Sequence, residues 1–339
     1  MVDVITPEAD CPAPPAKARR SKKPKVSRSE ILRNAVDRLA KRTHLAATSE
    51  DANVIHRVRV ATRKLGTALR SYEPLVSNKT QQKIRKALKK IRRLGGAVRD
   101  IDVAVECLDD LGKGLSSDAL LTVLYYRGRL EEQRNLAQKK FQTRCQKIDN
   151  QGFWDWCQRH LKADVRKNSR ASTTRQNLVI KGLIDAYQKV CEFREKHLSD
   201  PSDIELLHDL RKALKAFRYT LDMVPPRQLP ARIIKRADAI AQEAQDRLGK
   251  VIDVENTLQM ISHLRSEQPA NKGLLEKNRD LVLSALNEAI ARCHLSLAEG
   301  WKRDLDLGFL EKPLKDAKIR NQKTRATPLN GTAPQMTAH

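Results

Sequence analysis

The sequence contains few of the residues that build β-sheets and tight turns. Of its 339 residues, only 13 are glycine, 14 are proline and 4% are aromatic. Alanine, leucine, lysine and arginine are abundant, and all four favour helices over strands. The composition therefore excludes a sheet-rich fold and predicts an all-α protein.

Cysteine pairs and long apolar runs are also missing. The six cysteines are scattered without a C-x-x-C pair, and a chain of this size needs no disulfides, so we expect reduced thiols. The longest apolar run, around Leu120 to Tyr126, is far shorter than the roughly 20 residues of a membrane-spanning helix. The N-terminus lacks the apolar segment of a secretory signal. We therefore expect a cytoplasmic protein with no membrane partner.

Acidic residues are too few to balance the basic ones. The chain has 66 Lys and Arg against 41 Asp and Glu, a net charge of +25 and a pI near 10.0. Without the basic ends, residues 1–27 and 312–339, the remaining 284 residues still carry +17. The charge of the core predicts a polyanionic partner.

Helical periodicity divides the chain into two similar parts. The ends lack that periodicity, and residues 149–175 change to a Trp-containing stretch followed by Ser, Thr and Arg. A Gly95-Gly96 pair predicts a kink or break in the third helix. The predicted order is a disordered basic tail at 1–27, a four-helix bundle at 28–148, a linker at 149–175, a second four-helix bundle at 176–300 and a basic, mostly disordered tail at 301–339.

One basic motif occurs in both parts, about 152 residues apart. The pattern H-x-x-R-x-x-x-[R/K] comprises His56, Arg59 and Arg63 in the first copy, and His208, Arg211 and Lys215 in the second. At about 100° per residue, each copy forms a cationic stripe on one helix face, beside apolar core positions. A Gly-Asp corner follows each copy, so the order of features predicts an internal duplication.

These residues resemble the CHAD family, the conserved histidine α-helical domain. In outline the family patterns are H-x-x-R-V-x-x-R-R-L, R-D-x-D-V, L-H-x-L-R-K-x-x-K-x-x-R-Y and L-Q-D-x-L-G-x-x-x-D. The chain matches them at His56, Arg59, Val60, Arg63, Lys64 (for Arg), Leu65, Arg99, Asp100, Asp102, Val103, Leu207, His208, Leu210, Arg211, Lys212, Lys215, Arg218, Tyr219, Gln245, Asp246, Leu248, Gly249 and Asp253. It departs at Gly66 and Ala216, where many members carry a base.

The resemblance covers about residues 28–300 and implies both a fold and a ligand. The fold would be two four-helix bundles facing each other across a basic groove. The ligand would be inorganic polyphosphate, bound in bacteria often at polyphosphate granules. Many members are fused to a CYTH triphosphatase, but its E-x-E-x-K motif is absent here.

Polyphosphate binding needs many positive donors and no aromatic stacking platform, because the ligand is a chain of phosphates without bases. A cluster of like charges at i, i+3, i+4 and i+7, from Lys86 to Arg93, fits the same purpose because a bound anion would relieve its repulsion. We predict binding without catalysis, without a metal or other cofactor. The candidate ligands are His56, Arg59, Arg63, Lys64, Arg70, Lys86, Lys89, Lys90, Arg93, Arg99, His208, Arg211, Lys212, Lys215, Arg218, Tyr219, Arg236 and Arg247.

Two other functions are open from the sequence. The same charge would attract DNA or RNA without sequence specificity, as in a nucleoid protein. A histidine phosphotransfer bundle using His56 or His208 is the less favoured alternative, because both histidines lie among cations. Either histidine can donate to phosphate or serve as an interior contact. Asp100 and Asp253 are expected to cap helices or orient arginines, since a carboxylate facing a polyanion repels it. The oligomeric state is open.

Overall fold

A computed structural model describes residues 28–168, 175–200, 203–224, 227–264 and 272–326. In these ranges the chain forms ten α-helices and no β-strand, which confirms the all-α prediction. The predicted tail at 1–27 lies outside the described residues. The helices are α1 (Arg28–Ala46), α2 (Ala52–Ser71), α3 (Asn78–Gly112), α4 (Ser117–Asn150), α5 (Phe153–Asn168), α6 (Arg175–Ser199), α7 (Ile204–Leu221), α8 (Ala231–His263), α9 (Lys272–Asp304) and α10 (Glu311–Ala326).

Local capping defines where the two cationic helices begin. Asp51 accepts a hydrogen bond from the backbone N–H of Asn53 (2.8 Å) at the start of α2. At the start of α7, Asp203 accepts from the N–H groups of Glu205 and Leu206 (2.8 and 3.1 Å). An aspartate at this position satisfies unpaired N–H groups and complements the helix dipole. The two helices therefore begin in the same way.

The linker prediction for residues 149–175 is wrong over most of its length. Residues 153–168 form α5, which packs against α1 in the first half. The reason is a buried helical stripe of Trp154, Cys157, Leu161 and Val165, with i, i+3 and i+4 spacing. Asp164 also accepts a hydrogen bond from the Ser77 hydroxyl (2.8 Å), which joins α5 to the start of α3. The helix is part of the first bundle, which therefore has five helices.

The prediction of a mostly disordered tail after residue 300 is also wrong. Leu305, Leu307, Leu310, Leu314 and Ala317 are all buried, and α10 packs on α6 as α5 packs on α1. The basic residues of this segment obscured its apolar stripe. Residues 327–339 lie outside the described part of the chain.

We expect Leu314→Ala to destabilise the whole protein. Leu314 is 2% exposed, and truncating a buried leucine leaves a cavity that costs about 2–5 kcal/mol. Urea unfolding should show this loss, whereas Ile319→Ala on the 48% exposed side of the same helix should change the free energy of unfolding by less than about 0.5 kcal/mol. Equal and small effects would mean that α10 does not belong to the core.

The two halves are joined along their length by matching helices. α2 packs against α7, α3 against α8 and α4 against α9. A separate apolar cluster, which includes Leu108, Leu130, Ile261 and Leu286, joins the ends of the last two pairs. The halves thus share one packed body, although the internal duplication itself stays a prediction. In the described ranges, no helix combines the length and apolarity needed to cross a membrane.

The Gly95-Gly96 pair does not break α3, which is continuous from Asn78 to Gly112. A Cβ atom at Gly95 would lie 3.1 Å from Cε2 of Phe141, a fully buried ring on α4. Contacts at that distance are too tight for an ordinary side chain. The missing side chain at Gly95 therefore allows α4 to pack closely on α3. The cost is the lower helix propensity of glycine at this position.

Candidate anion-binding site

A large cleft lies between α2, α3, α7 and α8, where the two halves face each other. Its volume is about 1010 Å³. The lining side chains alternate along α2 and α7 with core positions such as Val58 and Leu214, which are fully buried on the opposite side of each helix. The hydrophobic stripe of each helix therefore fixes the direction of its cationic stripe.

The cleft has an excess of positive charge. Ten Lys and Arg side chains line it against five Asp side chains. The cations are Arg59, Arg63, Lys64, Arg70, Arg92, Arg99, Arg211, Lys212, Lys215 and Arg218. The acids are Asp100, Asp222, Asp238, Asp246 and Asp253. Such a concentration of like charge between low-dielectric walls attracts anions.

One arginine from each half is held by an aspartate at the same place. Arg59 Nη1 lies 3.6 Å from Asp100 Oδ1 in the first half. Arg211 Nη1 lies 3.3 Å from Asp253 Oδ1 in the second. The expectation that these two aspartates orient arginines is confirmed. Each pair also crosses from one helix to the next, from α2 to α3 and from α7 to α8.

Other lining residues of the cleft also contact each other. Arg218 Nε donates to Asp238 Oδ1 (2.8 Å), and its Nη1 donates to Gln245 Oε1 (3.2 Å). Lys64 Nζ donates to Asp222 Oδ2 at 2.7 Å and lies 5.9 Å from the centre of the Tyr219 ring. Since Lys64 belongs to the first half and Asp222 to the second, these contacts join the halves beside the site.

Three cations in the cleft make no direct contact with a carboxylate. Among the described residues, the side chains of Arg63, Arg92 and Lys215 have no hydrogen-bond or ion-pair partner. Two guanidinium nitrogens, Nη1 of Arg59 and Nε of Arg211, are buried and donate no hydrogen bond within the same described part of the chain. Buried donors of this kind are costly unless a ligand or solvent satisfies them. The site therefore contains N–H groups that are available to donate hydrogen bonds to a ligand.

Burial and the crowding of positive charges in the cleft lower the pKa of Lys215. Burial, followed by the charges of Arg211, Arg63 and Arg59, lowers it to about 7, and Asp253 only partly opposes the shift. An ordinary lysine has a pKa of about 10.4. The ammonium group of Lys215 is thus only partly charged at neutral pH, and a bound anion would favour its protonated form.

Both motif histidines lie in the cleft and both favour the neutral form. Partial burial and the neighbouring arginines, Arg99 first, lower the pKa of His56. Burial together with Lys212 and Arg211 lowers the pKa of His208. A neutral imidazole has one N–H donor available for a phosphate oxygen, and binding of an anion would draw a second proton onto the ring.

Twelve of the eighteen predicted ligands line the cleft. They are His56, Arg59, Arg63, Lys64, Arg70, Arg99, His208, Arg211, Lys212, Lys215, Arg218 and Tyr219. The other six are elsewhere: Lys86, Lys89, Lys90 and Arg93 are exposed on the outer face of α3, Arg236 stacks on Phe309 (4.3 Å), and Arg247 pairs with Glu243 (2.9 Å). These six residues do not line the cleft, and their part in ligand binding stays a prediction.

Arg92 was not among the predicted ligands, yet it lines the cleft. The next residue, Arg93, is exposed on the outer face of α3. A signal was available, because Arg92 and Arg99 are seven residues apart and lie roughly 60–80° from the buried stripe of α3. Arg93, in contrast, lies roughly 180° from that stripe. Polar Gln242, Gln245 and Asn256 of α8 were missed as well.

The chain was compared with protein families, curated proteins and solved structures. A family model for the CHAD domain matches residues 30–262. Among curated proteins there is no match. The structure resembles the CHAD domain from the plant Ricinus communis, with 17% identity, a TM-score of 0.57 and coverage of 85% of this chain and 90% of that one.

It also resembles PptA from Streptomyces chartreusis, with 13% identity, a TM-score of 0.56 and coverage of 81% of this chain and 98% of that one. At these identities the two structures support the fold alone. The family model covers well over half of the chain and agrees with the motifs on α2, α3, α7 and α8. The chain belongs to the CHAD domain family.

Proposed function

We propose that this protein binds inorganic polyphosphate in the cleft between α2, α3, α7 and α8, without turnover. The observation that carries the proposal is the convergence of ten cations from three helices, α2, α3 and α7, on one cleft, with Arg63, Arg92 and Lys215 unpaired among the described residues. In the cell, binding would take place in the cytoplasm at polyphosphate granules. The family resemblance implies the same ligand.

The extent of the site supports a polymer rather than a single phosphate. On α2 alone, the stripe from His56 to Arg70 is fifteen residues long, and its ends are about 21 Å apart along the helix. A volume of about 1010 Å³ far exceeds that of one orthophosphate ion. A linear anion with a charge on each unit can contact the cations one after another, so the affinity should rise with chain length.

The kind of cation supports phosphate. Seven of the ten lining cations are arginines, whose planar fork matches two oxygens of one phosphate. Asp100 and Asp253 hold two of these arginines from the side, so that the remaining N–H groups are free to point at a ligand. The aspartates reduce the net charge but fix the direction of the donors.

The lining of the cleft argues against nucleic acid as the main ligand. Tyr219 is its one aromatic side chain in the described part of the chain, and single-stranded nucleic acids gain about 1–3 kcal/mol for each base stacked on an aromatic ring. Polyphosphate has no bases and loses nothing from this scarcity. Nucleic acid therefore remains a competitor through charge alone.

A competition titration tests the proposal. Fluorescent long-chain polyphosphate bound to the full chain at near-physiological salt would be displaced by unlabelled polyphosphate, duplex DNA, RNA or orthophosphate, and phosphate release would be followed in parallel. We expect displacement by polyphosphate at the lowest concentration of charge, together with a steep loss of affinity as salt rises, because binding releases counterions. Equal displacement by nucleic acid would contradict the proposal, and released orthophosphate would contradict binding without turnover.

The basic end of the chain needs its own control, because it could bind a polyanion by charge. In a full-length variant, six residues would be changed to serine: Lys17, Arg19, Arg20, Lys22, Lys23 and Lys25. We expect the preference for polyphosphate to persist and the affinity to fall modestly through lost avidity. Loss of the preference would assign recognition to the tail rather than to the cleft.

Gly249→Ala should separate ligand binding from stability. A Cβ atom at Gly249 would lie 3.1 Å from Nη2 of Arg211, so the guanidinium must move. We expect polyphosphate affinity to fall about threefold to tenfold, a fraction of what a charged hydrogen bond contributes. Helix stability should not fall, because alanine favours helix over glycine by about 1 kcal/mol.

The matched control is Gly128→Ala on α4, where no atom lies within 4 Å of the added methyl group. It should keep full affinity. Equal affinities of the two variants, measured by the same displacement assay, would mean that Arg211 is not a ligand.

A further inference from the structure

Lys215 has surroundings that suit a chemical reaction as well as binding. Its side chain lies in the cleft among the guanidinium groups of Arg59, Arg63 and Arg211. Among the described residues no hydrogen bond or ion pair holds its amine. The lysine beside it on the same helix differs: Lys212 Nζ donates to Asp209 at 2.8 Å, and its side chain is 73% exposed.

We propose that Lys215 is a site of acylation by small acyl phosphates, with the cleft arginines binding the phosphate group of the reagent. Nζ attacks the carbonyl carbon and forms the C–N bond of an amide, while the bond between that carbon and the phosphate oxygen breaks. The leaving phosphate takes the electron pair and stays beside the arginines. The proton released from the amine goes to phosphate or solvent, so the reaction needs no further reactant.

The electrostatics of the cleft support both parts of this step. A lysine is nucleophilic only when neutral, and desolvation or neighbouring cations activate it by lowering its pKa. The charged groups that face Lys215 are Arg59 and Arg63 from α2, Arg211 from α7 and, with opposite effect, Asp253 from α8. The motif histidines His56 and His208 also lie near its amine. The same arginines that activate the amine would hold the phosphate of the reagent and stabilise its charge as it leaves.

The modification would report whether the cleft is occupied. Acylation removes the positive charge of Lys215, and a ligand already bound would both shield the amine and favour its unreactive protonated form. This consequence rests on the proposed function, whereas the reaction itself requires only that the cleft bind a phosphate group. Acylated protein is expected to bind polyphosphate about tenfold more weakly, the equivalent of one lost charged contact.

The experiment uses the full chain and acetyl phosphate, the simplest acyl phosphate, at pH 7.5. Chymotryptic peptides would be followed by mass spectrometry over time, with fragmentation to separate Lys215 from Lys212. We expect Lys215 to be acetylated at least about tenfold faster than Lys212, because its lowered pKa leaves much of its amine neutral at this pH and the cleft arginines would hold the reagent beside it. A rate at Lys215 equal to or below that at Lys212 would overturn the proposal.

A second reagent separates amine reactivity from phosphate binding. N-hydroxysuccinimide acetate carries the same acetyl group without phosphate, so the preference for Lys215 over Lys212 should be smaller than with acetyl phosphate. Added inorganic sulfate, and the variant Arg63→Gln, should lower the preference with both reagents, because each favours the protonated form of Lys215. The loss should be larger with acetyl phosphate, which also loses its phosphate contacts. The same preference with both reagents would refute docking of the phosphate on the arginines.

These results are independent of the proposed function. Polyphosphate affinity of the unmodified chain comes from the displacement titration alone. If Lys215 is acetylated selectively but polyphosphate does not bind, the proposed function fails and the acylation site stands. If polyphosphate binds and Lys215 shows no selectivity, the acylation site is refuted and the proposed function stands.

Discussion

Replacing Arg63 and Lys215 together by glutamate is expected to weaken polyphosphate binding at least about 100-fold. Hydrogen bonds to charged groups contribute about 1.5–3 kcal/mol each, and 1.4 kcal/mol is a factor of ten in affinity. The two residues lie on opposite helices, α2 and α7, so the variant removes a contact from each half of the cleft and adds repulsion to both.

Folding should survive this change. Neither side chain has a hydrogen-bond or ion-pair partner among the described residues, so the variant breaks no hydrogen bond or ion pair and loses only the longer-range attraction of Asp253 for Lys215. Lys215 now lies among Arg59, Arg63 and Arg211, and reversing its charge converts repulsion into attraction. We therefore expect an unchanged helical circular dichroism spectrum and a free energy of unfolding equal to or above that of the natural protein.

The matched control changes net charge by the same amount outside the cleft. Lys86 and Lys90 are exposed on the outer face of α3 and do not line the site. At 0.15 M salt the Debye length is about 8 Å, so glutamate at these two positions should reduce affinity less than about fivefold. Fluorescent polyphosphate displacement would compare the two variants. Equal losses would mean that net charge, rather than the cleft, determines binding.

The cationic faces of α2, α3 and α7 show what sequence periodicity can and cannot decide. The stripes on α2 and α7 were predicted correctly because each repeats beside a clear apolar stripe. On α3 the sequence offered two cationic faces, and the denser one, Lys86 to Arg93, was chosen. That face lies opposite Ile84, Leu88 and Ile91, which are buried, so it points to solvent. Arg92 flanks the apolar stripe and reaches the cleft. Angle to the core, rather than density of charge, was the informative quantity.

The helices that the sequence analysis missed share a second cause. α5 and α10 are each 16 residues long and each packs on the first helix of its half. Their apolar stripes were present, but Trp-rich or Lys-rich composition suggested a linker and a tail. A short amphipathic helix gains its stability from the surface it covers. That surface, on α1 or α6, exists only in the folded protein, so composition alone misjudged both segments.

The sequence predicted that two aspartates would orient arginines in the site, but it did not indicate the other ion pairs of the cleft. Asp100 and Asp253 were expected to orient arginines, and they do. Asp222 and Asp238 gave no comparable motif, yet they hold Lys64 and Arg218. Lys64 and Asp222 are 158 residues apart, and Arg218 and Asp238 are 20 residues apart on two different helices. Only tertiary packing brings them together, and it thereby decides which cations remain free for a ligand.

Stability of the free protein and its affinity for polyphosphate should change in opposite directions between pH 7 and pH 8.5. Above this window, cysteines whose pKa values burial raises in the folded chain would ionise on unfolding and oppose the effect. Lys215 has a pKa of about 7 in the folded chain and the ordinary value of about 10.4 when unfolded. Between these values the unfolded state binds more protons than the folded state. Lys215 therefore makes the free energy of unfolding rise with pH between pH 7 and pH 8.5, by up to about 1.4 kcal/mol per pH unit.

Binding has the opposite sign because a polyanion beside Lys215 raises its pKa towards the ordinary value. The complex then holds a proton that the free protein has released, so raising the pH above 7 should weaken binding by up to about tenfold per unit. Below that range the neutral His56 and His208, whose pKa values are also lowered, would each take up a proton on binding. Affinity should therefore continue to rise as the pH falls through 6.

Two measurements check this linkage. Urea unfolding at pH 7.0 and 8.5 would give the slope for the free protein, and calorimetric titration in buffers of different ionisation enthalpy would give the protons taken up on binding. Lys215→Met should remove the slope in stability and most of the proton uptake at pH 8, while the histidine contribution near pH 6 persists. Proton uptake at pH 8 that is unchanged in this variant would mean that another group titrates. An arginine at this position would stay charged and would bind the polymer throughout this pH range. Lys215 instead makes binding weaken as the pH rises above 7, while the empty protein becomes more stable.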